Sequence, residues 1–350
     1  MQAVFEILAN EKNITELLRD RLLEIRITDK PGLESDECEI RLDDRGGKVA
    51  FPPKGATLKV SFGWPDQGLS YLGNFRVDEI ELSGPPATVT IRGKPADMRQ
   101  AAKSQRSAGY EDTTLAAIVG AVAKRHGWMP VCQVVAMVPR ADQVGESDMH
   151  FITRLARSYG ATAAVKDGKL LVLPRGGGKS ASGASLPTIT LTPNMLETYR
   201  ITFPDRSGYG GVKAKAHDAK TGKQIDIEIP NPDPPPGGGA IHTDRHVDPN
   251  REAAKAAADS RLGALNRGTA TGSLSMIGRA DIAAEKEIKL QGFKSEADGT
   301  YLIESVTHTY SGKSWAMSVE INAGNAGKAK AGHGKKPVGS TSLVIPDAPK

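Results

Sequence analysis

The residue types that could do chemistry fall in a few short stretches. Gly176-Gly-Gly-Lys-Ser180 ends as a phosphate-binding loop ends, where backbone N–H groups and a lysine hold phosphates. That fingerprint needs a glycine five positions before Gly178, and Leu173 stands there. No helix pattern follows to present free N–H groups, so nucleotide chemistry is not expected. His242 and His246, with Asp244 and Asp248 beside them, are the right donors for a divalent metal and on a helix would share one face. The glycines before them and Pro249 after them predict a polar loop instead, where a spacing of four has no geometric force. Gly268-Thr-Ala-Thr-Gly272 has the glycine spacing of a nucleophile elbow, but Ala270 at its centre cannot attack anything. Asp43-Asp44 and Glu79 with Glu81 would have to face each other across a cleft to work as acid and base; at a turn and along a strand they read as solvated charge. His150, beside an apolar stripe, and His308, among alternating strand residues, read as structural. Cys38 and Cys132 lie far apart in apolar-patterned segments and read as reduced core residues. No catalytic, cofactor-binding or metal-binding residue is expected, and no cofactor.

What the chain positions well is a scaffold. From Glu146 to Pro174 it reads as a capped helix feeding a hairpin. Ser147 or Asp148 has the short oxygen-bearing side chain of an N-cap. Met149, Ile152, Leu155, Ala156 and Tyr159 recur at threes and fours, and Gly160 stands where a left-handed residue would end the helix. Ala161 to Val165 and Leu170 to Leu173 then flank Asp167-Gly168, a tight-turn dipeptide.

Residues 1–95 alternate as antiparallel strands around Leu23, Ile25 and Ile27, around Cys38, Ile40 and Leu42, and around Leu58, Val60 and Phe62, followed by Phe75 to Leu82 and Val89 with Ile91. A short helical insertion is predicted at Asn13 to Arg19. Residues 96–175 form an α+β unit. It opens on a helix capped by Thr113 or Thr114, with Leu115, Ile118, Val119, Val122 and Ala123 apolar and His126-Gly127 closing it. Residues 176–187 are a flexible Gly/Ser/Lys loop by composition. Residues 188–323 return to strands, interrupted at 230–266 by a Pro/Gly linker and an Ala/Arg-rich helix starting at Pro249. Residues 324–350 have little to bury and are expected to be disordered. The fold class is therefore mainly β with α+β insertions.

Composition supports an ordinary globular chain: 350 residues, 39% hydrophobic and 25% charged, but only 5% aromatic, with 38 glycines and 22 prolines favouring strands and turns. The net charge of +5 invites a nucleic-acid reading. Lys328, Lys330, Lys335, Lys336 and Lys350 all sit in the tail with one acid, Asp347, so the remainder is near neutral and no specific nucleic-acid partner is expected. No secretory signal and no 18-residue apolar run is visible, so cytoplasmic synthesis without membrane insertion is expected.

The run Glu146 to Leu155 (acidic, Ser, Asp, two residues, Phe, apolar, one residue, Arg, Leu) closed by Gly160 resembles the signature of the phage late control gene D family of contractile-tail baseplate hubs. It also resembles the hub portion of type VI secretion spike proteins. Leu22 to Asp29 leading to Ser35-Asp36, Lys213 to Asp218 and Gly299 to His308 match further pieces, and the two β sections around a mixed unit match the layout. The resemblance implies two small tube-like antiparallel β-barrels per chain and a homotrimeric ring of six barrels. One face would meet a hexameric tail tube protein and the other a trimeric tail spike, with tape measure and baseplate wedge proteins as further partners. It implies a structural protein of a phage tail or phage-tail-like (R-type) bacteriocin, not an enzyme. A tail-tip peptidoglycan hydrolase and a type VI secretion hub are the alternatives.

Overall fold

The computed structural model describes residues 2–32, 36–95, 104–166, 168–177, 187–205, 208–218 and 221–331. The first section holds β1 (Val4–Ala9), β2 (Lys12–Asn13), α1 (Thr15–Arg19), β3 (Leu22–Asp29), β4 (Glu37–Asp43), β5 (Thr57–Trp64), β6 (Gly68–Ser83) and β7 (Thr88–Pro95). Its alternation buries Ile25, Ile27, Ile40, Leu42, Val60 and Phe62 on one face. Leu23 departs from the expected pattern: the β3–β4 register slips between Leu22 and Glu24, which turns Leu23 outward to 40% exposure.

The mixed unit holds β8 (Gln105–Thr114), α2 (Leu115–His126), β9 (Met129–Cys132), β10 (Met137–Ser147), α3 (Asp148–Ser158), β11 (Ala161–Lys166) and β12 (Lys169–Pro174). Thr114 is the N-cap of α2, its hydroxyl accepting from Ala117 N at 3.1 Å, and Gly127 ends the helix at φ +69. Thr114→Ala should lower stability by about 1 kcal/mol in denaturant unfolding, the usual cost of losing such a cap. The antiparallel β8–β10 pair has no simple alternation in sequence, because most of its residues are exposed. The predicted turn residue Asp167 lies outside the described residues; Gly168 beside it has φ +70.

The last section holds β13 (Ile189–Leu191), β14 (Thr198–Thr202), β15 (Tyr209–Asp218), β16 (Lys223–Pro230), β17 (Ala240–Asp248), α4 (Arg251–Arg267), β18 (Thr271–Ile277), β19 (Glu287–Leu290), β20 (Gly299–Ser311) and β21 (Ser314–Asn322). Two expectations change here. Residues 240–248 are a strand rather than a loop, recruited by parallel pairing to β15, a long-range contact that local composition does not encode. Residues 324–331 are not a free tail: Lys328 N donates to Thr269 Oγ1 at 2.6 Å, the Lys328 ammonium lies 4.6 Å from the Tyr301 ring, and Ala329 is 9% exposed. The rest of the expected tail, 332–350, lies outside the described residues, as do the phosphate-loop residues Gly178, Lys179 and Ser180.

The protein is mainly β, and the two β sections share one 13-stranded sheet in the order β14-β18-β21-β20-β3-β4-β7-β6-β5-β1-β2, with β19 and β13 attached at β20. The β3–β20 ladder, from Val306↔Asp29 to Tyr310↔Ile25, is where they join. The first section curls back until Ala3 N reaches Lys313 O, 2.8 Å away in the β20–β21 turn. Tyr310 and Trp315 thereby enter the first core beside Phe5 and Phe62, while Leu274, Ile288, Ile303 and Val319 centre the second. α2 and α3 pack on the sheet β11-β12-β9, and α4 covers β15 through Ala254, Ala258 and Leu262.

Candidate functional site

The acids of the signature helix hold the helix in place. Ser147 caps α3 by accepting from His150 N at 3.2 Å. Asp148, with a side chain 5% exposed, accepts from Arg125 Nε (3.0 Å), Arg125 Nη2 (2.7 Å) and Gln143 Nε2 (3.0 Å), and lies 2.8 Å from His126 Nε2. Burial alone would raise the Asp148 carboxyl, but hydrogen bonds from Arg125, Gln143 and His126 outweigh it and bring it down to about 2. Glu146 faces His150 Nδ1 at 2.8 Å and pairs with Arg154. Met149, Ile152, Leu155 and Ala156 are buried as the spacing predicts, and Phe151 widens the stripe and stacks on Tyr110 at 5.4 Å. The motif therefore ties α3 both to β10, the strand that leads into it, and to α2, more than twenty residues earlier in the chain.

The hairpin after α3 docks the mixed unit on both β sections. Lys166 reaches Asp29 (3.0 Å) and Asp36 (3.4 Å); burial alone would lower it, and the two carboxylates together hold it charged and raised. On the other side Thr162 Oγ1 and Gly176 N donate to Glu285 (3.3 and 3.1 Å), and Arg175 Nη2 to Glu304 at 2.6 Å. Asn325 clasps the joint: its Nδ2 donates to Arg175 O (2.8 Å), while its Oδ1 and O accept from Arg267 (2.6 Å) and Asn266 (2.9 Å).

A third feature is the seam between the two β cores. Trp64 from β5 donates its indole N–H to Gly278 O (2.9 Å) and stacks on Trp315, ring centres 6.0 Å apart. Trp315 donates its own N–H to His308 Nδ1 at 3.2 Å. His308 sits opposite Ile27 in the joining ladder, and burial lowers its ring to about 4, only partly opposed by Asp29. A base depressed from 6.5 to about 4 binds its proton in the unfolded chain first, so its burial costs nothing above pH 6.5 and destabilises progressively down to pH 4. The expected result is a melting temperature that falls between pH 7 and pH 5, at up to about 1.4 kcal/mol per pH unit from this group. His308→Gln should flatten that part of the profile.

Of the candidate chemical residues, few come together. His242 and His246 point from β17: His242 Nε2 accepts from Arg261 (3.2 Å), His246 faces Asp248 at 3.9 Å, and the described residues hold no group of three or more metal-ligating side chains. Ala270 is fully buried and Thr269 bonds Asn266 O at 2.6 Å, so the elbow spacing is an entry into β18. Glu79 and Glu81 both receive Arg92 (3.0 and 2.7 Å), and Asp44 is buried at 7% exposure, accepting from Val49 N, rather than solvated. Cys38 is buried and its thiol is pushed up to about 12 by burial; Cys132 is partly buried and neither is bridged. The partners of Asp148 and the Trp64–Trp315–His308 chain were not anticipated. The signal available was weak: Trp315 and His308 lie seven apart across a turn, on strands whose alternation points both inward.

Comparison with known proteins fits this picture. A family model described as phage tail baseplate hub (GPD) matches residues 75–314. The probable baseplate hub protein of Escherichia phage 186 is 34% identical over 360 residues, spanning 91% of this chain and 92% of its own. That of Escherichia phage P2 is 34% identical over 356 residues, with the same shares. Among solved structures, the 43 kDa tail protein of prophage MuSo2 from Shewanella oneidensis shares the fold, with a TM-score of 0.68 at 14% identity, over 93% of this chain and 99% of that one.

Proposed function

The chain belongs to the phage tail baseplate hub (GPD) family, a structural component of the tail, and from that premise we propose that it works as a three-subunit symmetry adaptor. In this reading three chains close into a ring, and the two β sections of each provide six near-equivalent positions for a hexameric tail tube. The opposite face keeps threefold symmetry for a trimeric spike. Closed cyclic symmetry uses heterologous interfaces that end when the ring completes.

The observation that carries the proposal is the β3–β20 ladder. It makes one sheet of both sections, and the Trp64–Trp315–His308 seam locks their cores together. Two sections that must stand as adjacent members of a sixfold set need a fixed mutual orientation, which a flexible linker could not give. Lys166, Arg175 and Asn325 then fix the mixed unit to both sections, so it follows the ring.

The test is co-expression with the tube and spike proteins of the same tail, followed by affinity isolation on the spike. The proposal expects this chain and the spike protein in a 3:3 ratio, with tube protein retained. Recovery of spike without this chain, or of one copy per spike trimer, would overturn the adaptor arrangement.

A further inference from the structure

A cleft of about 750 Å³ opens between α3 and α4, with the free side of β17 along one edge, and the features described above leave it unexplained. Its floor on the α4 side is small: Ala253, Ala257 and Ala264 leave backbone-level space. Its cationic groups are unevenly neutralised. Arg267 is half-buried; the oxygen it holds is the Asn325 amide at 2.6 Å, not a carboxylate. Burial first, and then the neighbouring Arg175, lower Arg267 to about 10, with Glu304 and Glu285 opposing them only in part. Arg175 spends Nη2 on Glu304, while its Nε is buried without an acceptor, Glu285 standing 3.6 Å away. Arg261, exposed at the mouth, donates Nε to His242 Nε2 rather than to a carboxylate. A buried donor without an acceptor costs free energy that an incoming acceptor recovers. Guanidiniums are matched to carboxylates in pairs of parallel hydrogen bonds.

We infer that this cleft is a docking groove for an acidic, extended segment of a partner polypeptide, whose carboxylates pair with Arg261 and Arg267 over the alanine floor. A polyphosphate backbone fits less well. Asp142, Asp244 and Asp248 stand around the same opening and would repel an unbroken row of charges, while a peptide can place its acids at the arginines only. The inference concerns a surface of the single chain and holds whether or not the ring of the preceding section forms.

The probe is a fluorescein-labelled hexapeptide of alternating Ala and Glu, read by anisotropy against the full-length protein at low ionic strength. Its partner is the same peptide with Gln for Glu. The glutamate peptide should bind about tenfold more tightly than the glutamine one, and raising the salt should remove the difference. Arg261 is exposed, so Arg261→Gln should fold normally, shown by an unchanged melting temperature, and weaken the glutamate peptide about tenfold while leaving the glutamine peptide unchanged. A six-nucleotide oligothymidine serves as competitor. Equal binding of the two peptides, no binding at millimolar concentration, indifference to Arg261→Gln, or displacement by oligothymidine more readily than by unlabelled glutamate peptide would each overturn the inference.

Discussion

Asp148→Ala should cost the protein about 3–5 kcal/mol, read as a shift of the denaturant midpoint at constant slope. The size follows from what is left behind. Arg125, His126 and Gln143 converge on this carboxylate, and its removal strands a guanidinium and an amide that are largely out of water. The loss should be uneven in space. α3 is anchored to α2 and β10 through this group, so amide exchange should speed up first in 148–158 and in the hairpin it feeds, ahead of the β body. Asp148→Asn keeps an acceptor oxygen and should cost clearly less. Acid gives an independent reading: the carboxyl is lowered from 3.8 to about 2, so its contribution is complete above the higher value and is lost as pH falls toward 2. A variant as stable as wild type would mean that the signature is conformationally idle.

Gly278→Ala should be the second large effect. A Cβ built on Gly278 would lie 2.2 Å from the Trp315 ring, far inside any real contact. Trp315 cannot yield easily: it is 2% exposed, stacked on Trp64 and bonded to His308, and Gly278 itself donates to Trp315 O at 2.8 Å. Overpacking of this kind costs about 3 kcal/mol. Because Trp64 and Trp315 come from different sections, the tryptophan fluorescence of the variant should report a loosened seam even where the chain stays folded. Trp315→Phe placed on Gly278→Ala should restore part of the loss, since the smaller ring vacates the space. Additive losses in the double variant would show that the contact is not the cause.

Much of the fold was legible because its elements announce themselves locally. Thr114, Ser147, Gly127 and Gly160 mark helix ends by side-chain oxygens and a left-handed backbone, and they mark them correctly. Strands with one buried face, such as β4 and β5, alternate cleanly. What escaped was long-range. β17 looked like a loop because glycines precede it and Pro249 follows it, and only the parallel partner β15 makes it a strand. The segment 324–331 looked idle because small residues bury little, yet its order comes from hydrogen bonds to Thr269, Asn266 and Arg267. The joining of both β sections into one sheet rests on the β3–β20 ladder between residues nearly 280 positions apart, such as Thr28 and Thr307. The site was legible as a motif but not as a network: Asp148 read as a cap, while its partners Arg125 and His126 lie on the preceding helix, on a face that only the packed unit defines.

The central claim is a ring of three. Its most direct test is the mass of this chain in solution by light scattering, alone and with the spike protein of the same tail, with the same samples imaged by electron microscopy. The account predicts a mass for this component near three times 37.1 kDa in at least one of the two samples, seen as a ring with six peripheral densities. A monomer in both would contradict symmetry matching, whatever the likeness of the fold.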